Sequence, residues 1–429
     1  MRINFPPIDV EIQGLDKLRI PRMVKIRQKY DNYKIEDIPA HVRAKLEAQV
    51  QDKAFFEGKR IAITAGSRGI PYYPVIMKTM VDTLLAWGAK PFIVPAMGSH
   101  AGATAEGQRE MLAGFGITEE AMGCPVLSSM DVAAVGALED GTVIYCDKNA
   151  YESDGIIVFN KVKPHTCFKA EHESGLLKMM VIGLGKHRGA ASMHAQGYEK
   201  FPELLLGGGK LFIEKAPVIL GVGLVQNAQD DISDIEVFSP EEIVEGDAAM
   251  LRIAKDKMAR FLFPSTDIII IDRIGKDVSG SGFDPNVVRR KDWSFAGALE
   301  NQIIFCRGLT EGTHHNATGL HSADITTLRC VRDVDWGITW TNIMTAVPVS
   351  SCRIPCFAPS DRDAILWSIK SCTDDTRENV RIVRVRDTVH MEYIEVSENM
   401  AKELGGREDI EILSEPYEIP FGPDGYIVE

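Results

Sequence analysis

From Arg60 onward two kinds of apolar pattern alternate. The run RIAIT is short and β-branched, the stretch IPYYPVIMKTMVDTLLAWG repeats its apolar residues at helical spacing, and PFIVPA is again short and apolar. Gly88 stands where such a helix should stop. Strand, helix and strand in this order predict a βαβ unit. GIIVFNKVKPH (155–165) and PVILGVGLVQN (217–227) predict two further strands in the same half. Strands separated by helices pair in parallel, so a mostly parallel sheet is expected.

The segment SPEEIVEGDAAMLRIAKDKMARFL opens with Ser239 as a candidate N-cap and Pro240 in the first turn, and predicts a connecting helix. After Phe263-Pro264, DIIIID (267–272) restarts the strand pattern, and RIVRVRDTVHMEYIEV (381–396) alternates like a pair of strands. The expected architecture is α/β: two α/β domains, 1–265 and 266–429, with mostly parallel sheets and an active-site cleft between them. Roughly the last 30 residues are free to pack back on the first domain. There is no internal repeat and no low-complexity tract.

At 429 residues the chain exceeds one ordinary core, which agrees with two domains. No apolar run approaches the ~18 residues a membrane span needs. A net charge of −13 disfavours nucleic acid and anionic membrane as partners, leaving a small molecule. MRINFPPIDVEIQG lacks the basic and apolar regions of an export signal, so a cytoplasmic protein is expected. The eight cysteines form no CxxC pair and read as reduced thiols.

Chemistry enters through position. Ser67 and Arg68 follow RIAIT, His100 follows PFIVPA, His165 follows GIIVFNKV, and Lys276 follows DIIIID. Ligands of open parallel sheets bind beyond the carboxyl ends of strands, where these polar groups would converge. Singly, each has an ordinary reading: a surface ion pair for Arg68, a loop hydrogen bond for either histidine. Tyr72, Tyr73, Trp336 and Trp340 are candidate pocket walls with core packing as the alternative. Two histidines with a guanidinium between them suit acid/base work on both faces of a small carboxylate, as a racemase or epimerase needs.

HESGLLK followed by GLGKHRGAASMH is similar to the nickel-dependent lactate racemase family. Pro164-His165, Ser174-Gly175, Lys178 and His194 keep the family's order, and the interval from 178 to 194 keeps its spacing. SR at 67–68, GSH at 98–100 and GKD at 275–277 extend the resemblance over both halves. The resemblance implies an isomerase that racemises or epimerises a 2-hydroxy acid by reversible hydride transfer. It implies a nickel-pincer nucleotide, a pyridinium mononucleotide holding nickel through sulfur, carbon and sulfur, joined to Lys178 by a thioamide. His194 would complete the metal's coordination, and Ser174 and Gly175 would lie against the cofactor. His100 and His165 would alternate as acid and base, and Arg68 and Lys276 would hold the substrate carboxylate. Cofactor-assembly proteins are implied partners.

Three departures stand out. The interval from His165 to Lys178 is longer than the family's and contains His172, a competing second catalyst. Ala65-Gly66 replaces an acidic residue expected before the arginine loop. TEGTHHNATGLH (310–321) has no counterpart and reads as a substrate wall or a solvated turn. Two other functions fit the same scaffold: a metal-dependent hydrolase or dehydratase of a sugar acid, and a non-catalytic ligand-binding homologue. Substrate identity and oligomeric state are not legible.

Overall fold

The computed structural model describes residues 1–67, 69–290, 297–346, 349–373 and 377–428. They form two compact units, Asn32–Met258, and Met1–Asp31 together with Ala259–Glu429. In chain order the first strand is β1 (Met23–Gln28), which belongs to the second of these units.

The Asn32–Met258 unit contains β2 (Arg60–Ala65), β3 (Lys90–Pro95), β4 (Val132–Ala137), β5 (Val143–Asp147), β6 (Gly155–Lys161), β7 (Val218–Gln226) and β8 (Ile232–Phe238). β4 and β5 are an antiparallel hairpin; the others form one sheet in the order β3-β2-β6-β7-β8. All its pairings are parallel except that of β7 with β8. The strands are apolar on successive residues because both faces of the sheet are covered. Ile61, Ile63, Ile157 and Phe159 pack with the helices Ile38–Gln49 and Tyr73–Ala86. Their neighbours Ala62, Ile156 and Val158 point to the opposite layer, against Leu177, Leu204 and Phe212. That alternation follows from the two-residue period of a strand. Each large side chain so enclosed contributes about 1.5–3 kcal/mol of transfer free energy.

The Tyr73–Ala86 helix ends as expected, two residues before Gly88, whose φ of +78° suits the chain reversal. The connecting helix begins later than expected, at Ile243. Ser239 caps nothing: its own N–H donates to the Glu242 carboxylate at 2.9 Å, which closes a turn ahead of the helix.

The other unit holds β9 (Ile268–Ile271), β10 (Ile303–Cys306), β11 (Ile325–Thr327), β12 (Cys356–Ala358), β13 (Ile382–Val385), β14 (Tyr393–Ser397) and β15 (Ile410–Ile412). Its sheet runs β12-β11-β10-β9-β13-β14-β1-β15. The first five strands are parallel, while β14, β1 and β15 join antiparallel. The expected pair within 381–396 is thus the antiparallel β13–β14 pair. Tyr417, Phe421 and Ile427 of the tail pack in this unit's core beside Met23. Among the described residues no helix is long and apolar enough to cross a membrane.

Candidate functional site

β3, β2 and β6 lie side by side and parallel, so the segments leaving their carboxyl ends emerge at one edge of the sheet. From β2 comes Ser67, from β3 the loop with His100, and from β6 the loop with His165. The Ser67 hydroxyl and His100 Nδ1 are hydrogen-bonded. The His100 loop takes a left-handed course at Gly98, Ala101, Gly102 and Ala103, with φ of 58°, 53°, 68° and 54°. For each alanine this costs about 1–2 kcal/mol, so the surrounding contacts have to hold it.

The segment KPHTCFKAEHESGLLK is a closed loop followed by a lysine. Lys163 N–H donates to Ser174 O at 2.8 Å, and Ser174 N–H returns a bond to Lys163 O at 3.2 Å. Inside it Glu173, only 2% exposed, accepts the main-chain N–H of His165 at 2.6 Å and of Ala170 at 3.2 Å. Lys255 and Lys169 neutralise that carboxylate at 2.7 and 3.3 Å. His172 is buried with Nδ1 3.3 Å from Asp247, which also accepts the Leu176 N–H at 2.6 Å. A Cβ on Gly175 would stand 2.0 Å from an Asp247 oxygen, so only glycine lets that cap approach. Ser174 and Gly175 therefore build the turn that leads into Lys178.

Lys178 ends the short helical turn Leu176–Lys178, and a π-helical turn, Met179–Gly183, follows directly. Such turns shift helical phase by one residue and recur at functional sites. Gly183 sits so close to β3 that a Cβ would meet Ala96 O at 2.7 Å, and its own carbonyl accepts Gly98 N–H at 3.1 Å. The His100 loop is thereby fastened to the segment that follows Lys178. The helix Lys186–His194 then ends on His194.

His165, Lys178 and His194 share one electrostatic environment. Burial holds the His165 ring well below its ordinary range, and the positive charge of Lys178, with Lys163 and Lys169 behind it, adds to this. His194 is lowered by the same two causes, burial first and Lys178 second. Both rings are therefore neutral near pH 7, the form that ligates metal or accepts a proton. Cys167 N–H donates to His165 Nδ1 at 3.1 Å, which assigns the ring proton to Nε2. Phe168 stacks on His165 at 4.4 Å, and Tyr198 and Phe201 flank His194 at 5.7 and 5.2 Å.

Other candidates fall elsewhere. Arg68 lies outside the described residues. Lys276 belongs to the unit containing Ala259–Glu429, where its N–H donates to Thr313 Oγ1 at 3.1 Å. Beside it Thr310 donates to Asp277 at 2.5 Å, so the GKD turn and the His-rich loop are built together. His315 pairs with Asp333 at 2.9 Å. Of the aromatic residues, Tyr73 and Trp336 are core, at 1% and 2% exposed, whereas Tyr72 is 56% exposed.

Several residues of the site were not singled out from sequence: Glu173, Asp247, Gln108, Tyr198, Lys161 and Lys186. Lys161, at the end of β6, is lowered to about 8 by burial and by Lys163. The only signal for it was its place at a strand end. Among the described residues no group of three His, Cys, Asp or Glu side chains is placed to hold a metal ion.

One lysine and two neutral histidines follow the carboxyl end of a parallel strand, the region where α/β proteins commonly bind small molecules. Residues 10–201 match the family described as the lactate racemase N-terminal domain. A search of solved structures finds the lactate racemase apoprotein from Thermoanaerobacterium thermosaccharolyticum, with a TM-score of 0.54 and 15% identity over 86% of this chain and 99% of that one. A protein from Thermotoga maritima follows, with a TM-score of 0.47 and 14% identity over 65% of this chain and 71% of that one. No curated protein sequence matches. Residues 10–201 thus resemble the lactate racemase N-terminal domain, and the chain has the fold of that lactate racemase apoprotein.

Proposed function

We propose that the protein is a racemase or epimerase of a 2-hydroxy acid that works with a nickel-pincer nucleotide tethered to Lys178. The observation that carries this reading is the shared environment of Lys178, His165 and His194, an amine whose charge reaches two neutral imidazoles. An amine for the tether and one imidazole for the metal suit a group that brings its own sulfur and carbon donors. When bound, that group would accept the substrate's α-hydrogen as hydride and return it. His194 is its protein ligand in this reading.

The remaining roles belong to the chain. Inversion requires a proton to leave and return at the hydroxyl on either face, hence two histidines. His100, held at Nδ1 by the Ser67 hydroxyl, acts through Nε2 as the ring that takes the hydroxyl proton. His165, with Nδ1 engaged by the Cys167 amide, starts as hydrogen-bond donor through Nε2–H. For the substrate of opposite hand it gives up the Cys167 bond and takes the Nδ1–H tautomer, which frees Nε2 to accept the hydroxyl proton. His172 is engaged with Asp247, which favours His165 as the second of the pair. For the substrate carboxylate the resemblance names Arg68 and Lys276 as the candidates. Phe168, Tyr198 and Phe201 exclude water around His165 and His194.

The test is a panel of single-enantiomer 2-hydroxy acids and sugar acids, offered to protein co-produced with cofactor-assembly proteins and followed by chiral chromatography. Loss of optical purity of at least one acid, abolished in Lys178→Ala, is the expected result. A panel left unchanged by protein that carries the cofactor removes the proposal.

A further inference from the structure

Lys186 opens the helix that ends in His194, and it does so with a left-handed backbone, φ +53°. Its side chain is wholly enclosed. A lysine in this conformation and without water runs against both backbone preference and hydration, so specific contacts must retain it. The ammonium lies 3.0 Å from Asp147 Oδ2, donates to the carbonyl of Pro95 at the end of β3, and reaches Gln108 Oε1 at 3.5 Å. The Pro95 carbonyl and the Gln108 amide oxygen accept hydrogen bonds from it, and the Asp147 carboxylate balances its charge as an ion pair.

Gln108 is buried as well, on the helix Ala105–Gly114. Its Nε2 donates to Gly98 O at 3.0 Å and, more weakly, to His100 O at 3.4 Å. A continuous line of contacts therefore runs from the first residue of the His194 helix, through an ammonium and an amide, to the main chain of His100. It meets the loop where the left-handed residues begin.

We infer that Lys186 and Gln108 are positioning residues, a buried relay that fixes the His100 loop relative to the helix bearing His194. The catalytic consequence rests on the proposed function, while the effect on the loop can be read in the cofactor-free chain. The relay needs the ammonium's contacts to Pro95 and Gln108, so neutralising the ion pair does not replace it.

Two variants separate this from a plain stabilising role. Lys186→Met combined with Asp147→Asn removes both charges and leaves no lone buried carboxylate. Gln108→Met leaves the ion pair intact and keeps the test decisive should the double variant not fold. Hydrogen exchange of the cofactor-free proteins is followed at Gly98, His100 and Ala103, whose N–H groups donate to Gly183, Met97 and His100. Exchange faster by about tenfold or more at these amides is expected in each folded variant, with β6 and β7 still protected. The His100 imidazole signal, assigned with His100→Gln, should also move. Wild-type exchange and an unmoved signal in Gln108→Met overturn the inference. In cofactor-loaded protein kcat should fall by about tenfold with KM within about threefold; a rise in KM with kcat intact also overturns it. If the loaded wild type turns over no acid, the proposed function fails, and exchange alone decides the relay.

Discussion

The imidazole of His172 lies 3.3 Å from Asp247 in the protein interior, and the same carboxylate caps the Leu176 N–H at 2.6 Å. The second histidine of the loop thus serves the fold, while His165 shares the charge of Lys178. Asp247→Ala would leave a buried imidazole nitrogen and a buried amide without their acceptor. It should lower unfolding stability by about 2–4 kcal/mol in urea titration. His165→Asn should instead leave stability within about 1 kcal/mol of wild type and reduce turnover by at least about a hundredfold. Full turnover in His165→Asn, with none in a stably folded His172→Asn, would exchange the two assignments.

A pH effect on stability follows from His165. Its folded value is depressed by burial, then by Lys178, from an ordinary 6.5. As pH falls through 6.5 the unfolded ring takes a proton that the folded ring refuses. The stability this group contributes is complete above 6.5 and is lost as pH falls toward the folded value. Melting temperature should therefore drop between pH 7.5 and 5, and the drop should be smaller by a few degrees in His165→Asn. Identical pH dependence in the two proteins would show that the ring is not depressed.

Lys161 gives an effect at the other end of the scale. Burial and its neighbour Lys163 lower it from 10.5 to about 8. Below about 8 it is charged in both states and the folded protein bears the cost of enclosing that charge. Its favourable contribution is complete above 10.5 and lost as pH falls through about 8. Lys161→Met should melt about 2–4 °C higher than wild type at pH 7, with the gap narrowing between pH 8 and 10.5 in differential scanning calorimetry. A gap independent of pH would assign the change to packing alone.

Much of the site was legible because its parts obey local rules. RIAIT, PFIVPA and GIIVFN are short apolar runs that can be buried on both faces, so the polar residues after them mark strand ends. Ser67, His100 and His165 do leave one edge of the same sheet. Lys178 and His194 were named only through the resemblance to the lactate racemase family, and the charge of Lys178 reaches both His165 and His194.

What escaped notice has physical reasons. A lysine reads as solvated by default, so the enclosure of Lys186 depends on Asp147, Pro95 and Gln108, which are remote in sequence. The place of β1 between β14 and β15 is set by pairing across most of the chain's length, which periodicity cannot express. Ser239 met the rule for a helix cap, yet the helix starts at Ile243 with Glu242 before it, and Ser239 keeps only the bond from its N–H to the Glu242 carboxylate. The histidine doublet in 163–178 was ambiguous for the same cause, since Asp247 lies far along the chain.

The central claim is that Lys178 carries the cofactor and His194 holds its metal. The most direct measurement is peptide-resolved mass spectrometry with nickel analysis on protein co-produced with the assembly proteins, beside Lys178→Ala and His194→Ala. The account predicts a nucleotide-sized adduct on the Lys178 peptide with stoichiometric nickel, both absent from Lys178→Ala, and nickel depleted in His194→Ala. Protein that inverts a 2-hydroxy acid while Lys178 remains unmodified would contradict it.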